Sequence, residues 1–195
     1  MITCRDAVEN DMTAVAKLHE ACFRGTFIAS LGEALIADYY REFLREGGPF
    51  VLAYDEDKLV GICMGYYVGS GARNAFISKN KVRLARRLLS LCLSFNTLAI
   101  KKCFGYLFSR KRVPGPARAE ADLLSICVLD DYRGKKVSRR LLEEFEQRVS
   151  AAGKRDITLS VYKSNARAIA FYKKMGYSVC EKGTDEYRMY KSLVG

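Results

Sequence analysis

Arg133, Lys135, Lys136, Arg139 and Arg140 crowd one short segment around Gly134. An apolar stripe of Val137, Leu141, Leu142, Phe145 and Val149 begins at the same place, so the cations gather at the start of a helix. A helix N-terminus presents unpaired N–H groups and the positive end of the peptide dipole, and there each cation costs about 0.3–1 kcal/mol. The cluster makes sense if an anion sits against it, and a phosphate or pyrophosphate fits, with Gly134 giving the backbone room to turn. The other account of the same residues is a solvated basic face, since exposed runs of charge are common.

The elements that must position this segment follow from periodicity. Residues 123–128 are nearly all apolar, as a strand covered on both faces requires. The helix behind the basic cluster closes at Gly153, in the position that a left-handed C-terminal residue takes. Ile157, Leu159 and Val161 alternate with Thr158, Ser160 and Tyr162 and predict a strand. A helix over residues 165–175 stops at Gly176, and residues 177–181 and 187–193 read as two further strands. The C-terminal half is therefore β-α-β-α-β-β. Upstream, residues 2–5 read as a strand. A helix from about Asp11 carries Ala14, Val15, Leu18 and Cys22 on one side, and a second spans roughly residues 32–45. Strands 50–54 and 59–68 form a hairpin through Asp55-Glu56-Asp57.

Composition bounds what this arrangement can be. The 195 residues suit one domain over 1–195, and 49% hydrophobic with 28% charged residues is ordinary for a globular chain. The net charge of +11 has a single source. No acidic residue lies between Asp57 and Glu120, whereas 13 of the 33 basic residues do, leaving 20 against 22 acidic ones elsewhere. Most of that excess falls in a basic, helical insert at 78–118, closed by Val113-Pro114-Gly115-Pro116. Its most apolar run, residues 88–100, contains Ser90, Ser94, Asn96 and Thr97 and is too short for a bilayer, which needs about 20 residues. Seven scattered cysteines without a C-x-x-C pair, together with one histidine, argue for reduced thiols in a cytoplasmic protein and against a zinc site, so no metal is expected. The first dozen residues carry Arg5, Asp6, Glu9 and Asp11 and lack the apolar core of a secretory signal. His19 lies within a helix and reads as an ordinary helix residue, not a catalytic one. No nucleic acid is expected as partner: neither an aromatic-basic ribonucleoprotein motif nor a zinc module is present.

The run Val128-Leu129-Asp130-Asp131-Tyr132-Arg133-Gly134-Lys135-Lys136-Val137-Ser138, with Leu141-Leu142 behind it, resembles the coenzyme A motif of the GNAT superfamily of N-acetyltransferases, V-x-P-x-x-[QR]-G-x-G-[IV]-[GA]-x-x-L-L. The segment from Asn165 through Ala168, Ile169, Phe171 and Tyr172 to Gly176 and Tyr177 is similar to the second signature, N-x-x-A-[IR]-x-[FL]-Y-x-x-x-G-[FY], at every defining position. Asp130 stands where proline is usual. Lys136 takes the place of the second glycine, where it either crowds a pyrophosphate or adds an ammonium contact.

The resemblance implies an α/β (α+β) GNAT fold with a mixed, mostly antiparallel central sheet whose fourth and fifth strands are parallel and splayed. It implies acetyl-coenzyme A held by Ile126, Cys127, Val128, Arg133, Gly134, Lys135, Lys136, Val137, Ser138, Asn165 and Tyr172. It also implies direct attack of an amine on the thioester, with an N–H near Val128 facing the carbonyl oxygen and Tyr172 as proton donor to the departing thiolate. Deprotonating an amine of pKa near 10.4 at pH 7 costs about 4.6 kcal/mol, so a base helps. Glu120 is the candidate and Asp122 the second, although Glu120 reads equally well as the end of a loop; some relatives carry a glutamate where this chain has Ser160. By the same resemblance the acceptor lies against residues 24–31, Phe27 among them, and against Tyr66 and Tyr67.

His19-Glu20-Ala21-Cys22-Phe23, Leu31-Gly32 and Tyr39-Tyr40 look like N-acetyltransferases associated with bacterial surface polysaccharides. That favours a small amine, such as an amino sugar on a nucleotide or lipid carrier, over a protein N-terminus or lysine; a non-catalytic acyl-coenzyme A sensor is the alternative from another class. The basic residues of 79–112 suit either peripheral contact with an anionic membrane or a helical hairpin capping the domain, and monomer and homodimer both stay open.

Overall fold

The computed structural model describes residues 1–93, 116 and 119–193. In chain order the elements are β1 (Ile2–Asp6), α1 (Met12–Cys22), α2 (Phe27–Ser30), α3 (Glu33–Arg45), β2 (Phe50–Asp55), β3 (Lys58–Tyr67), α4 (Ala72–Lys79) and α5 (Lys81–Leu93). They continue with β4 (Ala121–Val128), α6 (Val137–Ala151), β5 (Asp156–Tyr162), α7 (Ala166–Lys174), β6 (Ser178–Lys182) and β7 (Glu186–Ser192). The strands form one seven-stranded sheet in the order β1-β2-β3-β4-β5-β7-β6. Every neighbouring pair is antiparallel except β4–β5, which the α6 crossover makes parallel.

Period-two alternation splits the apolar side chains between two layers. Leu52, Ile62 and Met64 meet Val15, Ile36, Tyr40 and Phe43 of α1 and α3. Val51, Ala53, Cys63, Ile157 and Leu159 face Leu141, Leu142 and Phe145 of α6 and Tyr172 of α7. Helix α6 approaches the sheet closely because β3 offers glycines beneath it: a Cβ on Gly61 would lie 2.9 Å from Leu141, and one on Gly65 would lie 2.7 Å from the Phe145 ring.

Two details of the helices differ from the sequence reading. Ala14 is exposed while Ala16 is buried, so the stripe of α1 is Met12, Val15, Ala16, Leu18 and His19. The four-residue α2 was not foreseen; Thr26 caps it by accepting from the Ala29 N–H at 3.4 Å.

The helical insert begins at Ala72, six residues before the expected 78, because Ser70 Oγ accepts from the Ala72 N–H at 3.2 Å and starts the turn. Phe76 packs on Tyr39 with ring centroids 5.4 Å apart. Lys79 pairs with Glu42 at 2.7 Å, Arg83 pairs with Asp38, and Arg87 Nε donates to Ser30 O at 2.9 Å. The described part of the basic segment thus caps α3. Lys81 and Arg86 of α5 are exposed, and the further cations Lys101, Lys102, Arg110, Lys111, Arg112 and Arg118 lie outside the described residues. Among the described residues no helix is long and apolar enough to cross a membrane.

Candidate active site

Strands β4 and β5 stay paired for three positions only: Ala121 with Ile157, Asp122 with Thr158 and Leu123 with Leu159. Beyond that vertex they diverge. The cause is a bulge: Met64 of β3 pairs with Ser125 and Gly65 with Leu123, so Leu124 is an extra residue that bends β4 and shifts its alternation by one. Only Gly65 suits the bend, because a Cβ there would collide with the Asp122 carbonyl and the Phe145 ring. Past the vertex the edge of β4 that faces β5 has no strand partner, and Leu124, Ser125, Ile126 and Cys127 pass from buried to half-buried. A groove of about 1260 Å³ occupies the opening. Its walls are β4 from Leu123 to Val128, β5 from Ser160 to Tyr162, the loop from Tyr132 to Lys136, the first turn of α6, and one side of α7.

At one end of the groove lies the basic helix start. Gly134 (φ +83°) and Lys136 (φ +63°) are both left-handed, and a Cβ on Gly134 would meet nothing within 4 Å, so conformation and not space calls for glycine there. Lys136 takes the N-cap position with no side-chain cap, and the first turn of α6 carries no acidic residue. The N–H groups of Val137, Ser138 and Arg139 therefore open into the groove without an intrahelical partner. Tyr132 holds the loop in place: its hydroxyl donates to Asp55 Oδ2 at 3.0 Å, while Lys135 lies 4.7 Å and Lys58 5.6 Å from its ring centroid. The Tyr132 hydroxyl, first among several neighbours, holds the Asp55 carboxyl below its ordinary range.

Tyr172 enters from α7. It is buried, and that burial raises its phenol well above the ordinary value. Its hydroxyl makes no hydrogen bond among the described residues, although the side chain lines the groove. Asn165 caps α7 by accepting from the Ala168 N–H at 3.1 Å and lines the groove beside it. The structure thus brings Ile126, Cys127, Val128, Arg133, Gly134, Lys136, Val137, Ser138, Asn165 and Tyr172 to one groove. Lys135 is turned aside onto the Tyr132 ring.

The other site residues fall elsewhere. Glu120 precedes β4 at the end away from the opening. Its carboxylate accepts from the Arg155 N–H at 2.7 Å and lies 3.8 Å from Lys154, so it joins the α6–β5 turn to the sheet and does not line the groove. Asp122 is buried beneath the vertex against Arg188, which also donates to Thr158 Oγ1 at 2.7 Å and to Ser160 Oγ at 3.1 Å. A carboxylate paired in this way ties β4 to β7 beneath the splayed strands and does not line the groove. Phe27 is packed in the core, Tyr66 stacks on Phe43 with centroids 5.6 Å apart, and Tyr67 stands opposite Ala121, so none of the three lines the groove. From the α1 side, the groove is lined by Cys22 and Phe23. Contact with the Cys127 thiol lowers the Cys22 thiol, and the same contact together with burial raises Cys127. His19 accounts for itself structurally: Nδ1 meets the Tyr40 hydroxyl at 2.7 Å, and burial lowers its pKa to about 4. Among the described residues no group of His, Cys, Asp or Glu could hold a metal.

Sequence reasoning missed Glu186 and Arg188. Both sit on a short C-terminal strand, and only its pairing with β5 brings them near the opening: Arg188 stands opposite Ser160 and Glu186 opposite Tyr162.

A groove between two parted parallel strands, with an uncapped, cation-rich helix start at one end, is the kind of cleft in which an anionic ligand can sit. The chain belongs to the Acetyltransferase (GNAT) family, whose profile matches residues 12–177, and is thereby an acyltransferase that uses acetyl-coenzyme A. The fold is similar to that of the PaiA N-acetyltransferase of Thermoplasma acidophilum in complex with coenzyme A, at a TM-score of 0.61 and 17% identity over 98% of this chain and 99% of that one. It is also similar to Arabidopsis thaliana Naa50 bound to the bisubstrate analogue CoA-Ac-MVNAL, at a TM-score of 0.60 and 17% identity over 98% of each chain. A third similar structure is the ribosomal-protein-S18-alanine N-acetyltransferase of Escherichia coli, at 0.61 and 16% identity over 99% of this chain and 94% of that one. Comparison with curated proteins by sequence finds no match.

Proposed function

We propose that this chain transfers an acetyl group from acetyl-coenzyme A to a primary amine in one direct step, with a small amine such as an amino sugar as the favoured acceptor. The observation that carries the reading is the uncapped, cation-rich start of α6 opening into the slot between β4 and β5. The residues fit the donor. The N–H groups of Val137 and Ser138, with Arg133 and Lys136, would take its diphosphate, and the unpaired edge of β4 from Ser125 to Val128 would take its amides. When bound, acetyl-coenzyme A supplies an activated acyl thioester. A main-chain N–H of β4 near Val128 would face the carbonyl oxygen, a preorganised dipole of the kind that contributes about 2.7–4 kcal/mol in acyl transfer. Tyr172, kept protonated by burial, would donate a hydrogen bond to the departing sulfur. Asn165 would hold the first turn of α7 against the donor.

A protein N-terminus is the second acceptor class, favoured by the likeness to Naa50 and to the ribosomal-protein enzyme. The five described cysteines are all free, which suits a reducing, cytoplasmic setting. Peripheral contact with an anionic membrane would run through α5, where Lys81 and Arg86 make no ion pair among the described residues and stand beside exposed Val82 and Leu89.

Calorimetric titration with coenzyme A should give a saturable heat. Acetyl-coenzyme A turnover, followed by release of free thiol, should then appear with one of glucosamine, spermidine or a short peptide with a free N-terminus. Absence of both heat and saturation with folded protein overturns the reading, and saturation without turnover on any amine turns it toward an acyl-coenzyme A sensor.

A further inference from the structure

We infer that Glu186 is the base that takes the proton from the acceptor amine, an inference that rests on the transferase reading above. The slot has two faces, and strand alternation says which is which. Ile157, Leu159, Val161 and Met189 point into the layer of α6 and α7, where the phosphate cradle and Tyr172 also lie. Thr158, Ser160 and Tyr162, with Arg188 and Glu186 across from them on β7, therefore point to the opposite face, that of α1 to α3. A donor occupying the first face leaves the second for the acceptor, against Cys22, Phe23, Ser160 and Glu186.

Glu186 is the one carboxylate among the residues lining the groove. It is half-buried, and its carboxylate makes no ion pair or hydrogen bond among the described residues. Among the described residues no other carboxylate lines the groove. The segment 94–118 contains no Asp, Glu or His, and the only histidine, His19, is buried against Tyr40. Asp122 is neutralised by Arg188 and Glu120 is spent on the α6–β5 turn.

The proton inventory closes with these groups. An acceptor ammonium loses one proton to Glu186, directly or through one water, and Glu186 passes it to solvent. The freed nitrogen lone pair forms the C–N bond as the C–S bond breaks and its electron pair goes to sulfur. The second nitrogen proton ends on the thiol, and the products are the amide, coenzyme A and one proton. The charged and polar groups placed around Glu186 are Asp185 in the turn before it, Arg188 on its own strand, Tyr162 across on β5 with Lys163 just beyond, Glu181 opposite Arg188 on β6, and Cys22, Arg167 and Lys174 on the groove walls.

The test compares wild type with Glu186→Gln on glucosamine, spermidine and a peptide with a free N-terminus between pH 6 and 10. Coenzyme A affinity is measured in parallel by calorimetry. Expected are an unchanged coenzyme A affinity and a kcat/KM lower by roughly 100- to 10,000-fold at pH 7, with the deficit shrinking as pH rises toward the pKa of the amine. Glu186→Asp, which keeps a carboxylate at shorter reach, should recover part of the loss. Wild-type turnover with the Gln variant within about threefold of it at pH 7 overturns the assignment, as does a loss that is the same at every pH. Weakened coenzyme A binding would also overturn it by moving Glu186 to the donor wall. Absence of wild-type turnover on every amine instead strikes the transferase reading itself, and this inference with it.

Discussion

Lys136 is a non-glycine residue held at φ +63° and ψ +9° at the start of α6, where the family pattern has glycine. A side chain in that conformation costs roughly 1–2 kcal/mol, and a cation at a helix N-terminus costs about 0.3–1 kcal/mol more. Lys136→Gly removes both and gives back about 0.5–1 kcal/mol in the extra entropy of the unfolded glycine. The net gain is about 1 kcal/mol, which for a chain of this length raises Tm by roughly 2–4 °C. Lys136→Ala removes the charge but keeps the left-handed strain, so its gain should be smaller. The assay is thermal unfolding of the three proteins without ligand, repeated with saturating coenzyme A. If the ammonium contacts the diphosphate, both variants lose part of the stabilisation that coenzyme A confers on wild type, in proportion to the lost affinity. An alanine variant at least as stable as the glycine variant would refute the strain argument, and tighter coenzyme A binding by both would mean that the lysine crowds the donor.

Tyr172→Phe should lower kcat by roughly 10- to 100-fold with coenzyme A affinity unchanged by calorimetry, because burial keeps the phenol protonated and its loss removes a donor to sulfur only. Unchanged turnover would reassign that donor. His19 titrates at about 4 when folded instead of near 6.5, so the unfolded chain binds the extra proton between these values. Stability present above pH 6.5 is therefore lost as pH falls toward 4, by up to about 3 kcal/mol. His19→Gln should flatten the fall in Tm between pH 7 and 4.5 by roughly 5–10 °C, and an identical fall in both proteins would remove the histidine from the account. Replacing Lys81 and Arg86 of α5 by glutamine should reduce sedimentation with phosphatidylserine vesicles at low salt. Each basic residue near such a surface contributes about 1 kcal/mol, so a roughly 30-fold fall is expected, and equal binding would end the membrane reading.

Local chemistry was legible without coordinates. The cluster of cations around Gly134 and the apolar stripe behind it are contiguous in the chain, and so, separately, is the run from Asn165 to Tyr172. Each falls within two or three helical turns whatever the rest of the fold does, so each could be read as a local motif, although only the β5 crossover brings the two to one groove. Residues that depend on pairing between distant strands could not. The bulge at Leu124 is permitted by Gly65 of β3, where any Cβ would collide with the Asp122 carbonyl, and no local signal at Leu124 announces it. Glu120 and Asp122 were equivalent as carboxylates near a strand start. Register alone gave one to the α6–β5 turn and the other to Arg188, 66 residues further on. Glu186 came to the slot through the antiparallel pairing of β7 with β5.

The sequence alone determined the family and most of the order of elements, α2 excepted, because motifs, helix caps, glycine conformations and apolar periodicity act over a few residues. Tertiary structure decided which side chains share each face of the slot, because a strand turns each successive residue to the opposite face and a single extra residue at Leu124 changes which face that is.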